Sequence, residues 1–164
     1  MEGTRHTTNR LRAGVVFGLV AVGVASNLRA MEVREALAHF ETGATQPTVC
    51  AADRKIGSRR EISRFQILPS VWRRYTRSKN YQNPDVAWSV ATRILADRKK
   101  WFRSSTGRDW DAVDLYLMWN APGAYSKANW DRRKLSRVVL DRAQRFANLM
   151  EVNGERAFVR GAAD

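Results

Sequence analysis

The run from Asn83 to Gly107 constrains the fold of this chain more than any other stretch. Ala87, Val90, Ala91, Ile94, Leu95, Trp101 and Phe102 fall on one face at a helical repeat. Asn83 is a natural N-cap, Pro84 suits the first turn, and Gly107 is a natural stop. A helix that long must bury its apolar stripe against other elements. The partners available are also helical. Residues 31–42 carry Val33, Ala36, Leu37 and Phe40 at helical spacing ahead of Gly43. Pro69 opens a short helix through about Tyr75. Asp109 is expected to cap a helix over 110–120, with Val113, Tyr116, Leu117 and Asn120 on one face and Pro122-Gly123 at its end. A last helix over about 132–151 aligns Leu135, Val138, Val139, Ala143, Phe146, Ala147 and Met150, and Gly154 closes it. Residues 44–62 read as irregular and 63–68 as extended. The predicted class is mainly α, with one irregular or hairpin-like segment after the first helix.

A chain of 164 residues can bury one real core. Its net charge of +13 favours an anionic partner: nucleic acid, an acidic membrane face or a wall polymer. The N-terminus narrows that choice. Residues 5–12 are basic, residues 13–25 are uncharged and almost wholly apolar, and Ser26-Asn27 leads into polar sequence. This is the pattern of a secretory signal over residues 1–26, with cleavage after Ser26 or as late as Ala30. Thirteen helical residues span roughly 20 Å, short of a hydrocarbon core of about 30 Å, so no stable membrane span is expected after cleavage. An uncleaved anchor or a buried helix is the other reading of this stretch. Loss of three Arg and one Glu with residues 1–26 leaves a net charge of +11. An exported chain meets little intracellular DNA, so the expected location is secreted or periplasmic and nucleic acid is not the expected partner. Cys50 is the lone cysteine, which excludes an internal disulfide. One Cys and two His do not build a common structural metal site, so no metal or cofactor is expected. A Cys50–His39 catalytic pair is formally available, and nothing local marks either residue as activated.

Three polar residues stand where the apolar pattern does not need them. Glu41 lies four residues after Leu37, on the same helical face and in the last turn. A partly apolar setting and the negative end of the helix dipole both raise a carboxyl pKa, as a general acid requires. The plain alternative is a solvated Glu at a helix end. Asn120 continues the Tyr116–Leu117 face just before a helix stop, aimed at a cleft or serving as a C-terminal cap. Gln66 sits among Phe65, Ile67 and Leu68, either at a cleft wall or facing solvent from an edge strand.

The order of these residues carries a resemblance. Glu41 in "HFETG", then "EISRFQILP" at 61–69, then "YLMWNAPG" at 116–123 resembles the lytic transglycosylase superfamily, soluble-type and goose-lysozyme-like. It spans about residues 33–150. The resemblance implies a lysozyme-like α-helical domain over 31–152, with a small irregular or β-hairpin segment lining the cleft and a flexible tail at 153–164. It implies a monomeric, exported enzyme that cuts the bond between N-acetylmuramic acid and N-acetylglucosamine in peptidoglycan. Glu41 maps onto the acid/base and gives a 1,6-anhydro product. Gln66 and Asn120 map onto the cleft lining, and Trp119 stands where the family has Tyr, with Tyr116 one turn earlier as another source of a phenol. Thr42 replaces the family's Ser, Ser63-Arg64-Phe65 replaces Gly-Leu-Met and sets a long cation next to Gln66, and residues 44–52 form an extra loop.

Glu61 is a departure of its own. If residues 59–68 bend beside the cleft, it faces Glu41 across the sugar and supplies the second carboxylate of ordinary glycosidases. Otherwise it pairs with Arg59, Arg60 or Arg64 on the surface. Trp72, Trp88, Trp101, Trp110 and Trp130 are expected mostly in the core, with some offering sugar-stacking faces. Two other function classes stay open: a non-catalytic wall-binding or secretion-apparatus module on the same fold, and a basic nucleic-acid binder.

Overall fold

The computed structural model describes residues 31–152. The expected leader at 1–26, the tail at 153–164 and the stop at Gly154 lie outside those residues. The long patterned run forms helix α3, Pro84–Thr106, whose N-cap Asn83 accepts from the N–H groups of Asp85 and Val86. Before it come α1, Val33–Thr42, and α2, Pro69–Tyr75. After it come α4, Ala112–Asn120; α5, Pro122–Lys127; and α6, Arg137–Val152. Single 3₁₀ turns occupy Ala51–Arg54 and Arg132–Lys134. The protein is thus mainly helical, and no strand occurs among the described residues.

Helix α4 is the axis of the fold. It packs on α6, α3 and α5, while α1 rests on α6 and α2 on α3. From Asp114 to Trp119 every residue of α4 is buried, so the helix is enclosed on all sides rather than on the one face expected. Its cap is Asp111, not Asp109: Asp111 accepts from Asp114 N–H, and the Asp114 carboxylate accepts in return from Asp111 N–H. That reciprocal pair satisfies two donors that the first helical turn leaves over. Pro122 does not merely end α4; with its φ preset it starts α5 at once. The last helix begins later than expected. Asp131 accepts from Arg133 N–H and closes a separate 3₁₀ turn, and Ser136 then caps α6 through Val139 N–H.

Residues 63–68 are not extended. Ile62 and Ile67 exchange a pair of backbone hydrogen bonds as an isolated bridge, and residues 63–66 form the turn between them. Ser63 and Gln66 take positive φ values of 64° and 51° there. The Thr42 hydroxyl, at the end of α1, lies 3.1 Å from the carbonyl of Arg64 and ties this turn to α1.

Two ion clusters built on buried aspartates, Asp53 and Asp114, fix the loops. The Arg64 side chain turns away from Gln66, against expectation. It pairs with the fully buried Asp53 and donates to the carbonyls of Gln46 and Thr48. The extra loop at 44–52 is therefore wound around one guanidinium. The second cluster gathers Arg108, Arg132 and the Tyr125 hydroxyl on Asp114. Burial alone would raise both aspartates, but their arginine partners and hydrogen bonds outweigh it and hold them below the ordinary value of 3.8. Their stabilising effect is complete above that pH and is lost as pH falls further. Asp53→Asn should cost about 3–5 kcal/mol in urea unfolding at neutral pH, because it leaves the buried Arg64 without a counter-charge.

Candidate active site

A cleft of about 640 Å³ opens along the end of α4, between that end, α3 and the 57–68 loop. Glu41, Glu61, Gln66, Trp119 and Asn120 all line it. The structure thus brings together five of the six site residues named from sequence. The sixth, Tyr116, is 1% exposed and lies beneath the cleft instead of in it.

Glu41 sits at the end of α1 with its side chain only 6% exposed. The Tyr116 hydroxyl donates to its Oε1 at 2.7 Å. Arg142, on α6, donates from Nη2 to Oε2 at 3.2 Å and from Nε to the Tyr116 hydroxyl at 2.6 Å. Burial raises the Glu41 pKa above its ordinary 4.5; Tyr116 and Arg142 pull it back without cancelling the rise, and the charge of Glu61 adds to it. Burial also raises the phenol of Tyr116, so its proton stays in place to be donated. The sequence pattern does not single out Arg142. Its signal was a cation four residues before Phe146 and three after Val139, inside the apolar stripe of α6.

Glu61 pairs with Arg59, one of the partners the sequence offered, but at the cleft wall and not on the open surface. It accepts from Arg59 Nε at 2.9 Å and from Arg59 backbone N–H at 2.8 Å, yet it is 8% exposed and lines the cleft. Burial would raise its pKa, but the backbone donors and Arg59 outweigh that and lower it. One cleft therefore holds a carboxyl shifted up and another shifted down.

Gln66 owes its position to the turn. Its Nε2 donates to the carbonyls of Ser63 and Lys55, which fixes the amide orientation. A non-glycine residue held at φ 51° carries strain of about 1–3 kcal/mol, a cost found most often where function needs a side chain aimed. Gly57 makes this geometry possible. A Cβ there would lie 2.4 Å from both Gln66 Oε1 and Glu61 Oε2, so only glycine lets the two side chains converge. Trp119 gives an aromatic wall, under the guanidinium of Arg98 at 5.5 Å. None of Trp72, Trp88, Trp101, Trp110 and Trp130 lines the cleft, which removes them as stacking faces there. The Cys50 thiol lies against Arg64 and not against His39, so the formal Cys–His pair is not assembled.

No family model, curated protein or solved structure matches this chain.

The raised pKa of Glu41 has a consequence for stability. Between 4.5 and its folded value, the folded chain keeps a proton that the unfolded chain has lost. Stability therefore falls as pH rises through that window. Glu41→Gln should be at least as stable as the parent at pH 7, with the difference vanishing near pH 4; thermal melting from pH 4 to 8 checks it. Gly57→Ala should displace Glu61 and Gln66 together and lower the melting temperature, since the added Cβ meets both side-chain ends and also lies 3.1 Å from Glu61 Cβ. A crystal structure of that variant would read the displacement directly.

Proposed function

We propose that this chain is a peptidoglycan-cleaving enzyme of the lytic transglycosylase type, exported from the cell, with a lysozyme-like fold and Glu41 as its acid/base. One observation carries the reading: a buried carboxyl with a raised pKa at the base of a cleft, wired to Tyr116 and Arg142. The order of Glu41, Gln66 and Asn120 in the sequence and their convergence on one cleft support it.

In this reaction Glu41 donates its proton to the glycosidic oxygen. The bond from C1 of the muramyl residue to that oxygen breaks, and its electron pair leaves with the N-acetylglucosamine. The muramyl 6-hydroxyl oxygen then bonds to C1 and gives its proton back to Glu41, closing the 1,6-anhydro ring without water. Tyr116 and Arg142 are positioning residues: their hydrogen bonds favour the carboxylate, so they receive the charge that Glu41 develops as its proton departs. The positive charge that builds at C1 faces an ionised Glu61. Gln66, Asn120 and Trp119 offer amides and an aromatic face to the N-acetylated sugars.

The opposed shifts of Glu41 and Glu61 favour a second reading of the outcome. An acid paired with an ionised carboxylate is also the equipment of a hydrolytic glycosidase. Mass spectrometry of muropeptides released by the chain from residue 27 onward separates the two. Anhydro ends indicate the lytic route, and reducing ends indicate hydrolysis with Glu61 as base or nucleophile. In either case Glu41→Gln should lower the rate by about 10²–10⁴. Glycan binding without any cleavage by the parent would leave a binding module, and steeply salt-dependent DNA binding without glycan binding would leave a nucleic-acid binder.

A further inference from the structure

Three arginines line the cleft, and two of them have carboxylate partners. Arg59 pairs with Glu61 and Arg142 with Glu41. Arg98, on α3, is different. Its Nη1 donates to the carbonyls of Met118 and Trp119, each at 2.8 Å, at the end of α4. Its guanidinium lies over the Trp119 ring. Among the described residues, no carboxylate forms an ion pair with it. Two neutral carbonyls and an aromatic face hold the group in one orientation without neutralising it. Burial pulls its pKa down to about 10, as happens to a cation whose lost hydration no anion replaces.

A guanidinium carries five N–H donors in a planar fork. The two hydrogen bonds of Arg98 to the carbonyls both come from Nη1, which leaves the Nε–Nη2 edge for a planar acceptor. We propose that Arg98 is a carboxylate-binding subsite of the cleft, taking a carboxylate borne by the substrate glycan; this rests on the peptidoglycan reading above. That polymer carries carboxylates of two origins. One is the lactyl group of muramic acid, free where the peptide has been removed. The other is the carboxyl groups of the peptide stems. Both present the same two-oxygen acceptor, and a polymer of N-acetylglucosamine alone presents neither. Arg98 thus distinguishes wall glycan from chitin-like glycan, at a place set by the end of α4 and next to the sugar-facing Trp119 and Asn120.

Calorimetry with the Glu41→Gln chain as a non-cleaving parent tests this against three probes: chitohexaose, muramyl glycan fragments bearing stems, and the same fragments stripped by an amidase. The parent should bind at least one muramyl fragment about tenfold more tightly than chitohexaose, and adding Arg98→Gln should abolish that preference without changing chitohexaose affinity. Loss on stem-bearing fragments alone assigns the stem carboxylate to Arg98, and loss on stripped fragments assigns the lactyl group. Arg98→Lys, which keeps the charge but loses the fork, should keep only part of the preference. An unchanged preference in Arg98→Gln overturns the proposal. So does equal weakening on all three probes, which is what simple support of α4 would give. If the parent binds none of the probes, the peptidoglycan reading itself fails, and this inference with it. Should Arg98→Gln not fold, the parent alone decides. Fragments with amidated carboxyl groups should bind about tenfold more weakly than untreated ones, and equal affinity overturns the proposal.

Discussion

The Tyr116 hydroxyl joins the three helices on which the site depends. It donates to Glu41 on α1 and accepts from Arg142 on α6, while its own ring belongs to the central α4. The ring stacks on Phe146 at 4.8 Å and meets Phe40 edge to face at 4.9 Å. Apolar packing therefore places the phenol, and the phenol places the carboxyl. A buried polar network of this kind is stabilising only while each member keeps its partner, and an orphaned member costs about 1–3 kcal/mol. Glu41 is thus oriented by a phenol that cannot move without disturbing the core.

The basic character of the chain is partly internal. Arg64 is 2% exposed and closes the loop at 44–60 around Asp53. Arg108 and Arg132 close the entrance of α4 around Asp114. These pairs make the backbone of the two loops follow a guanidinium rather than a sheet. That explains how a segment with one lone β bridge can form a firm wall of the cleft. Removing Asp53 would leave a buried positive charge at Arg64, which is why that pair bears on stability more than surface ion pairs do.

Within the cleft, burial and hydrogen bonding act on two carboxyl groups in opposite directions. Glu41 has a phenol and a half-exposed guanidinium for partners, and burial prevails. Glu61 has backbone N–H donors as well as Arg59, and these prevail over burial. Environment alone thus shifts the pKa values of two identical functional groups in opposite directions. Gly57 is the steric condition for that arrangement, since any side chain there would separate Glu61 from Gln66.

The sequence by itself determined the helices, because repeat, caps and breakers are local properties. The run to Gly107, the left-handed stop at Gly43 and the start at Pro69 all stand where the spacing put them. It also determined which polar residues interrupt apolar faces, and so pointed to Glu41, Gln66 and Asn120. Local pattern misplaced the cap of α4 and the start of α6, where neighbouring aspartates and a serine compete for the same role. It also misread residues 63–68, because a strand and a tight turn share one apolar composition. Only the tertiary structure decided that Arg64 turns to Asp53, that Arg142 reaches Glu41 across 101 positions, and that Tyr116 lies under the cleft and not in it. Those outcomes depend on which long side chains meet once the helices have packed, and a periodicity along one chain holds no information about a meeting between two.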